Sequence, residues 1–431
     1  MRIRIEKMIT GGLGLARRDD GMVVLTRFVL PGETVEVAES VQHRGYAEAE
    51  LVRVLAPSPD RVEPPCPVYT TCGGCDFQHI EENTQLRLKG EMIREALLRA
   101  GLTAPPTALH PPMASPLPYG YRRRLRLKLT QAGELGLFRF RSNRIVRING
   151  CPVATEALNL ALRQLQESSL PREAAATVRE IDLLHSPGDD CVHALLLPDR
   201  GNADNRVPLS AWPDQLPGIK MLWQKTKKGL RKLGGEPETL FQDLSEVVSG
   251  QSFRLSWPPG TFSQVNAEQN ARLISLVRDL AQGGNHRSVL DLFCGMGNFS
   301  VPLALGGAHV LGVELNRESV AWAVRNAAAA GCVAARFIRS DVAEALTSPV
   351  ITGTLFDLIV LDPPRLGLGK AWHRLADLDA GRIIYISCDP ATLARDLALL
   401  GTRGYQLAQL TPVDMFPQTH HIEAVALLEK N

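Results

Sequence analysis

Cys388 is the residue in this chain best placed by its neighbours to act as a nucleophile. It follows the apolar run Arg382-Ile-Ile-Tyr-Ile-Ser387 and precedes Asp389-Pro390-Ala-Thr-Leu-Ala-Arg395, where Pro390 suits the first position of a helix. A thiol at a helix start has its thiolate favoured by the backbone dipole, while adjacent Asp389 pulls the other way. A second group of cysteines has metal-ligand character. Cys66, Cys72 and Cys75 share one short stretch with two glycines before the last, and Cys151-Pro152 is the best candidate for a distant fourth ligand. Cysteine–proline pairs recur beside iron–sulfur clusters, and Cys66-Pro67 is another. Zinc suits four thiolates equally well, and unligated thiols are a third reading. Cys191 and Cys332 lie in apolar surroundings and are expected to be buried and structural.

A third constellation is a ligand pocket. Asp291-Leu-Phe-Cys-Gly-Met-Gly-Asn-Phe299 follows a short apolar run, and a buried strand ending in a glycine turn lets backbone approach a ligand. Roughly twenty residues on, His309-Val-Leu-Gly-Val-Glu314 ends in a carboxylate spaced to accept hydrogen bonds from ribose hydroxyls. Asp341, Asp362-Pro-Pro-Arg365 and Ser387-Cys-Asp-Pro390 stand at the ends of further apolar runs. Each acid has a plain alternative: a helix cap for Glu314, a surface acid for Asp341, a turn residue for Asp362. Their recurrence at successive strand ends favours a shared site.

The elements that must position these groups follow from periodicity. From Gly260 onward, apolar strands (288–292, 309–313, 336–339, 356–361, 382–386) alternate with helical segments, which implies a doubly wound parallel sheet. Ligands in such sheets sit beyond the carboxyl ends of the strands. The tail, Tyr405-Gln-Leu-Ala-Gln-Leu410 and then Glu423-Ala-Val-Ala-Leu-Leu428, reads as two strands with no helix between them and resembles the closing hairpin at one edge of S-adenosylmethionine-dependent methyltransferase sheets. Residues 1–57 read as all-β, with Val-rich runs broken by Gly11-Gly12, Asp20-Gly21 and Pro31-Gly32, and a five-stranded oligonucleotide-binding-type barrel fits them. Prolines 57, 59, 64 and 65 mark a linker, and residues 80–101 read as a helix with Leu86, Leu88, Ile93, Leu97 and Leu98 on one face. Residues 58–259 are assigned to a central mixed α/β domain, of which 80–118 is expected to pack on the catalytic domain at 260–431.

With 431 residues, 45% apolar and 22% charged, the chain has the balance of a soluble multi-domain protein, and no run is long enough to span a bilayer. No signal peptide is evident and eight cysteines are too few for a disulfide scaffold, so cytoplasmic residence is the expectation. The net charge of +2 hides an uneven distribution: residues 121–150 carry nine Lys/Arg against one acid, and 220–232 carry six with none. These stretches are either solvated sheet faces or phosphate-contacting surfaces, with Tyr119, Tyr121, Phe138 and Phe140 interleaved as potential base-stacking rings. Arg124-Leu-Arg-Leu-Lys-Leu129 alternates as a strand with one apolar and one cationic face.

Taken in order, Phe262-Ser-Gln-Val-Asn266, the glycine motif at 291–299, Asp362-Pro-Pro-Arg365, Ser387-Cys-Asp-Pro-Ala-Thr-Leu-Ala-Arg-Asp396 and Thr419-His-His-Ile-Glu423 resemble the RNA uracil-5-methyltransferase family along the whole chain. Gly11–Ala16 and Leu30–Glu33 resemble a TRAM domain, an RNA-binding module. With the cysteine set, this is most similar to the branch that modifies one specific uridine of 23S ribosomal RNA. The resemblance implies a C-terminal Rossmann-like class I methyltransferase domain and S-adenosylmethionine as cofactor. It further implies a [4Fe-4S] cluster on Cys66, Cys72, Cys75 and Cys151, Cys388 as nucleophile and Glu423 as base. It assigns Gln264, Phe293, Asn298, Glu314, Asp341 and Asp362 to the cofactor pocket, with Asp362 alternatively on the uracil edge. Asp362-Pro-Pro-Arg365 speaks against amino-methylating enzymes, whose motif ends in an aromatic residue. Ser263 departs from the bulky residue usual before the glutamine, and His420 and His421 are expected only to pack the closing hairpin. A monomer acting on ribosomal RNA is the expected form; the same chemistry on another ribosomal uridine or on tRNA is the alternative. A radical RNA-modifying enzyme is disfavoured because its cysteines are spaced by three and then two residues, against five and two here. A non-catalytic RNA-binding relative is disfavoured by the presence of Cys388 and Glu423.

Overall fold

The catalytic sheet is built around the strand Ser288–Leu292. In the computed structural model, which describes residues 1–103, 105–198, 216–283 and 287–430, this strand lies between His309–Glu314 and Leu358–Leu361. The full order of the seven strands is 335–339, 309–314, 288–292, 358–361, 382–387, 423–430, 405–413. The first five are parallel; Glu423–Lys430 runs antiparallel to both of its neighbours. Side chains alternate between two buried layers, which explains why these strands read as near-continuous apolar runs. Val289, Val360, Ile384 and Val425 face helices Ala267–Gln282, Ser300–Leu305 and Arg317–Ala329. Leu290, Ile359, Ile383 and Ala424 face helix Pro390–Gly401 and part of Glu82–Arg99.

Two elements before residue 260 complete these layers. The hairpin of Leu240–Asp243 and Arg254–Trp257 adds Leu240, Leu255 and Trp257 to the first. Helix Glu82–Arg99 adds Ile93, Ala96 and Leu97 to the second. Leu88 and Met92 of the same helix pack instead with Met8, Leu30 and Phe77. The predicted apolar face of this helix is corrected at Leu98, which is 61% exposed; one residue past buried Leu97 the helix has turned by about 100°, which carries it off the packed face.

Residues 1–56 form a six-stranded sheet in the order 2–4, 34–42, 46–56, 23–26, 13–17, 7–9. Its two end strands, Arg2–Arg4 and Lys7–Ile9, are consecutive pieces of chain, so the sheet curls until its edges meet in one bent strand. The central region carries a second seven-stranded sheet, with Arg124–Leu129 between Val178–His185 and Leu135–Phe138. Leu125, Leu127 and Leu129 pack with Leu158, Leu162 and Leu165 of helix Glu156–Glu167. The part of the assigned central domain at residues 199–215 lies outside the described residues.

The alternation of Arg124–Leu129 holds, but its cationic side is not a free row of charges. Arg124 and Arg126 pair with buried Asp182, and Lys128 with Glu180, on the neighbouring strand. Among the interleaved rings Tyr121 is buried, whereas Phe138 is exposed beneath Lys128. Cys191 and Cys332, expected to be buried, are half-buried.

Candidate active site

Strand pairing sets the centre of the site. Ser387 and Ala424 are register partners on antiparallel strands, so the next residue along each, Cys388 and Glu423, meet at one end of the sheet. Helix Pro390–Gly401 begins just beyond the thiol, with Pro390 in its first turn. The Asp389 carboxylate accepts from the Thr392 amide at 2.8 Å, so its charge is committed to the helix start. Burial pushes the Cys388 thiol pKa up, Glu423 and Asp362 push the same way, and Arg365 opposes them. The helix terminus therefore does not leave a free thiolate. The nucleophile is held as a thiol whose ionisation depends on its neighbours' charges.

Glu423 is 6% exposed and its Oε2 has no hydrogen-bond partner among the described residues. Burial, and secondarily Asp362, raises its pKa to about 8. Burial raises that of half-buried Asp362 to about 7. Carboxyls held near neutrality at a strand end suit proton transfer.

The adjoining pocket is lined by Gln264, Phe293, Gly295, Asn298 and Asp362, and also by Gln242, Trp257 and Asn270. The chain turns through left-handed conformations at Phe293, Gly295 and Gly297, with φ of 63°, 56° and 92°. Glu314 is tied to this turn: its carboxylate accepts from Gly295 N at 3.2 Å and Asn316 N at 2.7 Å. Asp341 stands beyond the neighbouring strand, exposed, and caps a short helix through Ala343 N at 2.8 Å. Of the predicted pocket residues, Gln264, Phe293, Asn298 and Asp362 thus share one cavity, Glu314 adjoins it through Gly295, and Asp341 does not line it. Phe262, 71% exposed, stands at the pocket.

Asn270, Gln242 and Trp257 join the site without a motif to announce them. Asn270 exchanges hydrogen bonds with Asn298 at 3.0 Å in each direction. Its spacing of one helical turn from Asn266, on a buried face, was the available signal. Gln242 and Trp257 come from a hairpin with no motif. Asp291 is buried beneath the turn and accepts from Ser300 Oγ, while its Oδ1 has no partner among the described residues; burial raises its pKa to about 7.

The predicted metal cysteines, Cys66, Cys72, Cys75 and Cys151, line one cavity with Tyr69, Gln78 and Arg122. Burial raises the pKa of the Cys72 and Cys151 thiols, and that of Cys75 to about 12. Backbone amides act in the opposite sense, Gly74 at Cys72 and Ala154 and Val153 at Cys151. Four cysteines around one cavity beside Arg122 have the donor set of a thiolate-ligated group. No group of three or more His, Cys, Asp or Glu that could hold a metal ion occurs among the described residues.

Residues 121–431 match the family model described as tRNA (uracil-5-)-methyltransferase. The chain belongs to the RNA uracil-5-methyltransferase family. A Shewanella amazonensis relative, named 23S rRNA (uracil(1939)-C(5))-methyltransferase, is 35% identical over 99% of this chain and 95% of its own length. A Legionella pneumophila relative of the same name is 32% identical over 99% and 96%. The crystal structure of Pyrococcus abyssi tRNA (uracil-54, C5)-methyltransferase with S-adenosyl-L-homocysteine is 25% identical, covers 99% of this chain and all of its own, and superposes with a TM-score of 0.76. This member of the uracil-5-methyltransferase family thus has the multi-domain α/β fold and the S-adenosylmethionine-dependent methyltransferase activity of the family. No helix among its described residues is long and apolar enough to cross a membrane.

Proposed function

We propose that this chain methylates carbon 5 of a uridine in 23S ribosomal RNA, uridine 1939 in the numbering carried by its relatives' names. It acts as a cytoplasmic monomer through a covalent cysteine–uracil adduct. The observation that carries the chemistry is the meeting of Cys388 with a buried carboxyl at Glu423, whose Oε2 has no hydrogen-bond partner among the described residues, beside a pocket lined by Asp362. The relatives' names support the ribosomal target.

Carbon 5 of uracil is a weak nucleophile. Addition of the Cys388 sulfur to carbon 6 builds enolate character that concentrates electron density at carbon 5. S-adenosylmethionine, when bound, supplies the electrophilic methyl group. Glu423 then takes the carbon 5 proton. The C–H electron pair forms the carbon 5–carbon 6 double bond, and the sulfur leaves with its own electron pair. Arg365, which favours the thiolate, assists both addition and release. Glu314 and Asp341 are assigned to the ribose and adenine end of the cofactor, and Gln264, Phe293, Asn298 and Asp362 to the end near the methyl group. Asp362 alternatively accepts from the uracil edge.

Cys66, Cys72, Cys75 and Cys151 are assigned to a [4Fe-4S] cluster, which would hold the cysteine loop in shape. The curled sheet of residues 1–56 is assigned as a TRAM-type RNA-binding module. The division is that of barrel 1–57, central domain 58–259 and catalytic domain 260–431, with helix Glu82–Arg99 and the hairpin before residue 260 lent to the last.

The decisive experiment is mass-spectrometric mapping of 5-methyluridine in ribosomal and transfer RNA from a deletion strain. Loss at one ribosomal uridine supports the proposal; loss only in tRNA, or nowhere, refutes it.

A further inference from the structure

The segment that delivers Glu423 is held from outside the catalytic sheet. Residues 414–422 connect the last two strands, and Gln418 within them adopts φ 68°, a conformation unfavourable for a side-chain-bearing residue. Such a loop keeps one shape only if its surroundings impose it. Lys89 Nζ donates to Asp414 Oδ1 at 2.7 Å and to the Phe416 carbonyl at 3.1 Å. Tyr121 Oη donates to the Pro417 carbonyl at 2.9 Å. Gln85 brackets Gln418, accepting from its amide and donating to its side chain, both at 3.0 Å.

Nearest the base, the contacts come from the cysteine loop. The amides of Asp76 and Phe77 donate to the Gln418 carbonyl at 3.2 and 3.0 Å. The Asp76 carboxylate accepts from His420 N at 2.8 Å through Oδ1 and pairs with His420 Nδ1 at 2.6 Å through Oδ2. Arg27 Nη1, from the N-terminal barrel, donates to the same Oδ2 at 3.1 Å. A Cβ on Gly12 would stand 2.7 Å from His420 Cβ, so the barrel backbone abuts the loop here. His420 is three residues before Glu423, with the His421 ring tilted against it at 4.1 Å and Ile422 buried between them and the base in the chain.

We infer that Asp76 and His420 form a positioning pair that aims Glu423 at carbon 5, so that proton removal and release of the RNA depend on the pair while addition and methyl transfer do not. The argument is one of attachment. Cys388 sits on a strand–helix junction inside the catalytic sheet, secured by the Ser387 hydroxyl, which accepts from Asp389 N at 3.2 Å, and by the helix that follows. Glu423 instead begins a strand whose approach is fixed by Asp76. Loosening that approach moves the base and leaves the nucleophile in place.

This rests on the adduct mechanism proposed above, and one experiment separates the two ideas. Full-length wild-type protein and the His420→Ala variant are each incubated with S-adenosylmethionine and a 23S RNA fragment, once with ordinary uridine and once with 5-fluorouridine, and run on a denaturing gel. The fluorinated base halts the reaction before release. The variant is expected to trap 5-fluorouridine RNA at the wild-type rate, to turn over ordinary RNA on the order of 10-fold or more slowly, and to accumulate a covalent adduct with ordinary RNA. His420→Gln, whose amide can donate to Asp76, is expected to recover most of the turnover. Should His420→Ala fold poorly, Asp76→Asn, with its iron content checked, gives the same comparison. Parallel loss of trapping and turnover, or no change in either, overturns the inference. Failure of the wild-type protein to trap 5-fluorouridine RNA overturns the adduct mechanism itself.

Discussion

Glu423 faces Cys388 across an antiparallel strand pair, and its carboxyl, after burial itself, does most to hold the thiol pKa up. The two groups are close enough that a negative charge on one disfavours a negative charge on the other. At neutral pH a protonated Glu423 relieves Cys388 of repulsion, and the thiolate needed for addition becomes easier to form. Once sulfur is bonded to carbon 6, that repulsion is gone and the carboxyl is freer to ionise and act as base.

The first prediction concerns these groups as reagents. Cys388→Ala should give no covalent adduct with 5-fluorouridine RNA, whereas Glu423→Gln should still form it. Both should lose turnover, by about 10²–10⁴-fold for the base. Trapping gels beside a methyl-transfer assay check both.

Release of methylated RNA from the adduct, followed in single-turnover chases, should quicken with pH as the Glu423 carboxyl ionises, at a pH below its free-enzyme value of about 8. Stability should move the other way. The carboxyl's pKa is raised from an ordinary 4.5 to about 8, so the folded chain binds the proton more tightly than the unfolded chain. The stability linked to that proton is fully present below pH 4.5 and is lost as pH rises through about 8. Glu423→Gln should therefore melt higher than wild type at pH 8 and no higher at pH 4.5, with a difference on the order of a few kcal/mol. Paired melting curves at the two pH values check the sign.

Lys89 carries a buried charge from helix Glu82–Arg99 to Asp414. Lys89→Met should leave Asp414 without its counter-charge and cost about 3–5 kcal/mol. Denaturant unfolding of the two proteins measures this.

Gly367 adopts φ 72°, and a Cβ there would lie 2.3 Å from Asp396 Oδ2 and 2.4 Å from Thr392 Cγ2. The turn belongs to the segment that presents Arg365, whose carbonyl accepts from Thr392 Oγ1 at 3.0 Å, and Leu366, which is 81% exposed. Gly367→Ala should displace Arg365 and slow formation of the 5-fluorouridine adduct, the early step that His420→Ala is expected to spare. Single-turnover trapping rates distinguish the two variants.

The purified protein should be brown and contain about four irons per chain, and Cys151→Ala should lose both colour and iron. Stoichiometric zinc in a colourless protein would count against the cluster.

Much of the catalytic sheet was legible because parallel strands buried on both faces leave unbroken apolar runs, and because Pro390 opens a helix where its position suggests one. The placement of Cys388 between a strand and a helix could be read for the same reason. The ion pairs of Arg124, Arg126 and Lys128 could not, since Glu180 and Asp182 lie more than fifty residues away on a strand whose register no local pattern encodes. Asp76 and His420 are 344 residues apart, which explains why the histidine looked like mere packing. The hairpin bearing Gln242 and Trp257 was hidden because pocket walls are assembled by packing and not by motif.

The clamp on residues 414–422 also bears on how the molecule folds. Its hydrogen bonds to helix Glu82–Arg99, Tyr121 and the cysteine loop join positions 296 to 344 residues apart, from Tyr121–Pro417 to Asp76–His420. Contacts of such sequence separation are slow to form, because a long loop must close before they contribute any stability. After dilution from denaturant, secondary structure should therefore return well before release-competent turnover does. For a time the refolding chain would hold a nucleophile without an aligned base, and RNA added in that interval would be captured and released late.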